Sequence, residues 1–438
     1  MMDDIVSLAK RRGFIFQSSE IYGGINGFWD FGPLGVELRN NVKRFWWRAM
    51  VDLRDDVVGV DTSIIAHPET WRASGHVNSF SDPMIDCKTC KGRFRADHLE
   101  TSQCLQKPSK NPQQCGGELT EARAFNLMFH TFVGANQDSA SEAFLRPETC
   151  QSIFTQFKNV ATTSRQKVPF GIGQIGKSFR NEITPRNFIF RSREFEQMEM
   201  EFFIKPDPVE QQKWYEYWVA FRYQWYQDLG IRKEKLRLRE HAADELAHYA
   251  KGCTDVEYEF PFGWSELEGI ANRSNYDLTQ HMTFSKKDLS YFDQANNEKY
   301  VPAVIETSAG CDRTLLTVLC DAYHVDEVEG EARTVLRIAP EIAPFKVAIL
   351  PLSKKLNEKA ESLAKDLRKR VKLDFDDAGS IGKRYRRQDE VGTPFCVTYD
   401  FESETDGKVT VRERDTTKQE RIAVTEIINY LVDHKAVL

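Results

Sequence analysis

The sequence predicts an α+β chain in two parts, a larger unit mixing antiparallel strands with amphipathic helices and then a smaller α/β unit. Three observations carry that reading. Residues 170–203, FGIGQIGKSFRNEITPRNFIFRSREFEQMEMEFF, read as strand, loop and strand. Residues 254–260 alternate Val256, Tyr258 and Phe260 with Asp255, Glu257 and Glu259, the period of an antiparallel strand with two unlike faces. After Arg337-Ile338-Ala339-Pro340 the pattern changes to VAIL, a charged helix over 356–370, and the strand-like runs LDFDD, PFCVTYDF and KVTVRERD.

In chain order, Leu38, Val42, Phe45, Trp46, Ala49 and Met50 recur at helical spacing and predict a helix over 36–53. A strand over 57–66 follows, ended by His67-Pro68, and a polar insert bearing cysteines occupies 86–120. A second long helix spans 208–229, with Trp214, Trp218, Phe221 and Trp225 on one face as core and Gly230 closing it. Residues 301–306 read as a short strand, Ser308-Ala309-Gly310 as a connector, and 312–323 as a helix with Leu315, Leu316, Leu319 and Tyr323 inward. The boundary falls near 330–340, giving units of 1–335 and 336–438.

At 438 residues the chain has room for a sizeable core, and its longest apolar run, 347–352, is far short of a membrane span. The N-terminal MMDDIVSLAKRRG lacks the basic-then-apolar layout of a secretory signal. Nine cysteines, an odd number, fit a reducing cytosol better than a disulfide framework. A cytoplasmic protein without a membrane partner is therefore expected. A net charge of −6 argues against a generally basic nucleic-acid binder, though a sum hides local patches. Lys365, Arg368, Lys369, Arg370 and Lys372 read as a solvated helix face. Lys383, Arg384, Tyr385, Arg386 and Arg387 interleave an aromatic ring with four cations, which suits RNA phosphates and a stacked base as well as it suits an exposed helix.

Gly171, Gly173 and Gly176 satisfy G-x-G-x-x-G, and Gly171 through Ser178 satisfy G-x-x-x-x-G-K-S. Both phosphate-binding patterns need a helix opening directly after the glycines. Pro185 and the strand-favouring Phe188, Ile189 and Phe190 leave no room for one, so both matches are decoys. Same-parity residues share a strand face, which groups Arg180 with Glu182, and Arg191, Arg193, Phe195, Gln197, Glu199 and Glu201 with one another. Such a face is either a charged exterior or a pocket offering guanidiniums, an aromatic plate and carboxylates.

Cys87-x2-Cys90 with Cys104 and Cys115 suggests a small zinc ribbon, but Pro112 stands where the second pair's first cysteine belongs. Cys104 or His98 is the candidate fourth ligand, and a decayed site with free thiols is the alternative. Cys150, Cys253, Cys311, Cys320 and Cys396 read as packing residues, and His67, His76, His241 and His248 as satisfied structural histidines.

FRNE, a proline-containing loop and R-x-x-x-F at Arg191 to Phe195 resemble motif 2 of the class II aminoacyl-tRNA synthetases (170–203). The helix and strand of 35–68 resemble motif 1, which forms the dimer interface in that class, and Gly310-Cys311-Asp312-Arg313 opening a helix resembles motif 3 (301–323). WRASGHVNSF, FRADHLE, FNLMFHT, RPET, SELEGIANR, YDLTQH, ETSAGCDR and SIGKRYRRQDEVGTPFCVTYDF are similar to the homodimeric glycyl-type members, over nearly the whole chain.

The resemblance implies a class II fold, an antiparallel sheet flanked by helices, with a C-terminal α/β anticodon-binding domain. It implies a ligase that makes glycyl-adenylate from glycine and ATP and passes glycine to tRNA(Gly), working as a homodimer with Mg2+. Arg180 would bridge the α-phosphate and the glycine carboxylate, and Arg191 and Arg313 would hold the outer phosphates. Asn181, Glu182, Phe190, Phe195, Glu266, Leu267 and Gly310 would complete the ATP site, with Glu182 reading adenine and Phe195 stacking on it. Glu148, Glu199 and Glu306, with Arg95, Phe195, Gln197 and Ser308, would surround glycine and exclude a Cβ by clash. No editing domain is then needed. Glu266 and Glu306 are candidates for Mg2+, the Lys383 to Arg387 region for the anticodon, and the glycines of 171–176 for keeping low the strand face on which ATP lies. Threonyl-, prolyl- and histidyl-type enzymes share this architecture. A catalytically inactive, synthetase-like accessory protein that binds nucleic acid would be expected to lack Arg180, Arg191 and Arg313.

Overall fold

Pro33 opens the first long helix, its fixed φ and missing N–H suiting a first turn whose amide has no partner. This helix, α1 (Pro33–Trp47), buries Leu34, Leu38, Val42 and Trp46. It widens into a single π-turn at Arg48–Asp52, so the apolar stripe that predicted 36–53 spans two helix types. The structure, a computed structural model, describes residues 1–247, 249–328 and 330–437.

The strand predicted over 57–66 is two strands. β1 (Val57–Gly59) joins the main sheet, whereas Ile65–Ala66 pairs with Glu142–Leu145 in a small separate sheet. The break is at Thr62, whose amide and hydroxyl both donate to Gln174 Oε1 at 2.7 Å. A side-chain acceptor thus replaces the ladder there. Helix α2 (Cys150–Thr163) precedes the central hairpin of β2 (Phe170–Phe179) and β3 (Glu194–Ile204). Arg180, Glu182, Arg191 and Arg193 lie in the connecting loop, past the strand ends. Phe188–Phe190, expected as strand, forms a 3₁₀ turn entered through Asn187 and Phe188 at φ +57° and +59°.

Helix α3 (Pro208–Asp228) is capped by Asp207, whose carboxylate accepts from Val209 and Glu210 N–H at 2.9 and 3.1 Å. Trp218 and Trp225 are core, as their spacing predicts. β4 (Leu236–Glu240), β5 (Gly252–Phe260), β6 (Gly263–Ser274) and β7 (Ala303–Gly310) complete the main sheet. Its order is β4-β5-β6-β7-β3-β2-β1, antiparallel throughout except for the β2–β1 pair. Ser308-Ala309-Gly310 belongs to β7 rather than to a connector, and α4 (Cys311–Ala322) starts directly after it.

A second sheet orders β9-β8-β10-β11-β12, from β8 (Val347–Pro351), β9 (Leu373–Phe375), β10 (Phe395–Tyr399), β11 (Lys408–Glu413) and β12 (Gln419–Ala423). Helices α5 (Asn357–Leu367) and α6 (Ile381–Val391) accompany it. β8 runs parallel to β9 and β10, and the remaining pairs are antiparallel, a mixed sheet consistent with an α/β unit. One hydrophobic core reaches Ala343 and takes in Val391, and another begins at Val347.

Candidate active site

Register aligns side chains across the main sheet in rows. Gln174, Glu199, Ser308, Gly269 and Asp255 are successive neighbours on five strands, and Ile172, Glu201, Glu306, Ala271 and Cys253 form the next row. Above these rows is a cavity of about 390 Å³ with a cationic end and an acidic end.

Arg180, Glu182, Phe190, Arg191, Phe195, Glu266, Leu267, Gly310 and Arg313 all line the cationic end. The Arg180 Nε–H donates to Pro147 O at 3.0 Å, and its guanidinium lies 5.3 Å from the Phe195 ring centroid. Arg313 stacks over Phe190 at 4.5 Å, donates to Phe190 O at 3.1 Å and reaches Glu266 at 3.4 Å. Arg191 is 3.4 Å from Glu182. Burial lowers the Arg191 pKa, Glu182 opposes this, and Arg313, Arg95 and Arg186 lower it further. Guanidiniums that crowd one another mark a place for a polyanion. Asn181 is not part of this wall; its amide donates to Leu127 O at 2.7 Å.

Glu148, Glu199, Glu306, Gln197 and Ser308 meet at the acidic end. Gln197 accepts from Ser178 Oγ at 2.7 Å and donates to Ser308 Oγ at 3.2 Å, which fixes its amide. Thr149 Oγ1 donates to Glu199, and Arg273 pairs with Glu306 at 2.9 Å. Burial works against charge on Glu148, but His76 at 3.3 Å and Arg273 hold its pKa well below the usual carboxylate range. Glu199 is raised by burial and by Glu148, and Glu306 is pushed up to about 8 by burial and by Glu199 and Glu148 against the pull of Arg273. This end carries more carboxylates than cations and therefore suits a small cation.

Sequence reasoning missed Arg273 and Thr149. Glu201, which strand parity groups with Glu199, is fully buried behind the wall, with both oxygens lacking a hydrogen-bond partner among the described residues. Two readings of histidines and one of a cysteine need correction. His76 pairs with Glu148, while His241 and Cys253 line the cavity, because the β4–β5 connection folds back over the sheet. His67 is structural, accepting from Glu69 N–H at 3.2 Å, and His248 lies outside the described residues. Arg95 is not among the lining residues; it is held by Asp82 at 2.7 Å and by Asp97 at 2.6 and 3.0 Å, close enough for its charge to act on Arg191. Of the two Mg2+ candidates, Glu306 pairs with Arg273 at the acidic end, and Glu266 lies at the cationic end 3.4 Å from Arg313.

Gly171 and Gly173 do not keep the cavity face low, whereas Gly176, the cross-strand neighbour of Gln197, lies on that face and makes room for Arg146. A Cβ on Gly171 would meet Met200, Phe202 and Val57, and one on Gly173 would meet Trp46 and Val51, all on the opposite face. One on Gly176 would strike the Arg146 guanidinium. Two of these glycines admit the layer beneath the sheet, and the third admits Arg146.

In the insert, Cys87, Cys104 and Cys115 are buried and Cys90 is partly so, all as free thiols. The Cys90 N–H points at Cys87 Sγ at 3.5 Å, and a Cβ on Gly117 would be 2.6 Å from Cys87 Sγ and 3.4 Å from Cys115 Sγ. Cys104 perturbs the other three thiols, whereas His98 faces Asp97 at 4.0 Å. In α6, Arg384 is buried and donates to the carbonyls of Pro351, Asp377 and Gly379, and Tyr385 shares a 2.6 Å hydrogen bond with Thr398. Arg387 is chelated by Asp376, Arg386 is partly buried near Asp389, and Lys383 is exposed. Of this cluster only Arg384 is buried; Tyr385, Arg386 and Arg387 are partly exposed and engaged within the domain, and Lys383 is exposed.

Residues 131–322 match the family model of the tRNA synthetase class II core domain (G, H, P, S and T), and residues 346–434 match that of the anticodon binding domain. Similar proteins include the glycine--tRNA ligases of Caldanaerobacter subterraneus subsp. tengcongensis (56% identical, covering 98% of this chain and 97% of the relative) and Treponema denticola (55%, 98% and 96%). That of Thermobifida fusca is 56% identical, covering 99% of this chain and 98% of its own length. With the class II core and the anticodon-binding module in order along one chain, and relatives matched end to end at this identity, the chain belongs to the glycine--tRNA ligase family of the class II aminoacyl-tRNA synthetases.

Proposed function

We propose that the chain activates glycine with ATP, forming glycyl-adenylate and pyrophosphate, and then transfers glycine to the 3′ end of tRNA(Gly). One observation carries this reading: a single cavity joins a guanidinium-rich end with aromatic walls to an acidic end lined by Glu148, Glu199 and Glu306. Triphosphate and adenine suit the first, and the ammonium of an amino acid suits the second. Catalysis then rests on positioning and charge stabilisation where the carboxylate attacks the α-phosphate. Arg180 is the group between the two ends, Arg191 and Arg313 hold the outer phosphates, and Glu182 and Phe195 take adenine. Glu266, on the wall of the cationic end, would help hold Mg2+, which would supply charge neutralisation for the phosphates.

Glycine-dependent exchange of pyrophosphate into ATP, compared with threonine, proline and histidine, tests the first half. Charging of purified tRNA tests the second. Exchange with another of these amino acids but not with glycine would overturn the reading.

Cys87, Cys90, Cys104 and Cys115 form a four-thiolate zinc site in this reading, supported by their burial and mutual proximity. Metal analysis of protein purified without chelator should find about one zinc per chain, lost in Cys104→Ser. A metal-free wild-type protein would reject the site. Homodimerisation is part of this reading through the resemblance of 35–68 to motif 1, where Val36 and Leu53 are exposed apolar side chains. Two working units are kept, with the boundary set between Ala343 and Val347 rather than at 335/336, because Leu336, Ile338, Ile342 and Ala343 pack in the first core. A cytoplasmic location fits translation; among the described residues no helix is long and apolar enough to cross a membrane.

A further inference from the structure

We propose that His241, held by Asp255, seats the cis-diol of the 3′-terminal ribose of tRNA beside the acyl group. The inference rests on the reading above, in which the reaction ends on tRNA, and it assigns a part of the cavity that neither ATP nor glycine accounts for.

Ser308, Gly269 and Asp255 are cross-strand neighbours on β7, β6 and β5, so Asp255 lies two strand spacings, roughly 10 Å, from the serine at the glycine end. Between them Gly269 has no side chain, and a Cβ there would lie 3.8 Å from Asp255 Oδ1. In the adjacent row Ala271 separates Glu306 from Cys253. Two small residues therefore leave a trough that runs from the carboxylates to β5. Its far wall is the segment after β4, with His241, Ala247 and Tyr249 facing the cavity.

His241 Nε2 is 2.7 Å from Asp255 Oδ2, and the backbone ties the pair together, since His241 N–H donates to Cys253 O at 2.9 Å. Asp255 is almost wholly buried, while His241 is about one-fifth exposed. Nδ1 of His241 has no hydrogen-bond partner among the described residues, and the ring lines the cavity. With its Nε2–H given to the buried carboxylate of Asp255, the imidazole keeps Nδ1 as a free acceptor for one sugar hydroxyl, which orients the neighbouring hydroxyl of the cis-diol. Arg239 at 3.8 Å from Asp255 and Glu245 on the same loop balance charge at the rim, and Glu266 faces Asp255 from β6.

The reaction needs a hydroxyl here. The 3′ oxygen bonds to the glycyl carbonyl carbon, the bond from that carbon to the phosphate oxygen breaks, and the hydroxyl proton passes to the departing AMP phosphate. Atoms and charge balance without a proton acceptor from the protein, so His241 is a positioning residue for the transfer half of the reaction.

Glutamine at 241 places an amide where Nε2 was and keeps the Asp255 hydrogen bond, but has nothing at the position of Nδ1. In single-turnover assays with preformed glycyl-adenylate, His241→Gln and His241→Ala should each lower transfer to tRNA about 10- to 100-fold more than they lower glycine-dependent pyrophosphate exchange. A tRNA ending in 2′-deoxyadenosine should lose a comparable factor with the wild-type protein and little further with His241→Gln, because the two changes remove one interaction. Equal losses in exchange and transfer, fully additive losses with the deoxy end, or a stoichiometric metal released by His241→Gln would overturn the proposal. Wild-type protein that fails to exchange with glycine would instead overturn the parent reading of function.

Discussion

Glu306 concentrates the physics of this site in one carboxyl group. Burial and two neighbouring glutamates push it up to about 8 from an ordinary 4.5, with Arg273 pulling the other way. A carboxyl whose folded value is raised contributes stability that is complete below the unfolded value and is lost as pH rises through the folded one. The loss therefore accrues between about 4.5 and about 8 and stops there. Melting curves from pH 5 to pH 9 should show Glu306→Gln gaining on wild type up to about 8 and no further; a constant gap would contradict the placement of this proton. Arg180→Ala removes the only proposed contact shared by carboxylate and α-phosphate, worth about 3–4 kcal/mol in the transition state. Adenylate formation should fall by two to three powers of ten, roughly that energy as a rate, and exchange within tenfold of wild type would refute the role. For Glu199→Gln the glycine KM should rise while the ATP KM stays close to wild type. A selective loss of ATP binding would show that the acidic end was misassigned.

At the scale of elements, β2 shows how a correct exclusion can be followed by an incorrect assignment. Pro185 and the apolar residues after it ruled out a phosphate loop on a helix, and the observed strand, turn and strand agree. The use of the glycines was not legible, because it depends on what packs from each side: Trp46 of α1 under Gly173, and Arg146 against Gly176. Gly176→Ala should displace the Arg146 guanidinium, which donates to Lys177 O at 2.7 Å and Thr62 O at 2.9 Å. The expected cost is about 1–3 kcal/mol by denaturant titration, with an unchanged m-value. Helix α3 was readable almost to the residue, since cap, periodicity and closing glycine agree locally. The segment 57–66 was not, because Gln174 intercepts its backbone from more than 100 residues away.

Across the whole molecule, the α6 cluster separates composition from availability. With Arg384 buried and Arg387 chelated, α6 leaves few free cations among the described residues for a nucleic acid, and Lys383 is the exposed one. Affinity for tRNA should still fall steeply with salt, because phosphate contacts release counterions. Lys383→Ala should reduce the slope of log affinity against log salt by no more than about one unit; a larger change would show that α6 carries the interface after all. Sequence alone determined the class of chain, the order of its motifs and most of the residues at both ends of the cavity. The elements are local signals, side chains repeated at strand or helix period beside a recognisable turn, whereas the class and most of the site residues follow from the resemblance of short motifs. Only the tertiary structure decided which carboxylates share one space, which arginines are free, and that His241 and Asp255 belong to the cavity. Those properties come from strand register and burial, which bring distant residues together and set whether a charge has a partner.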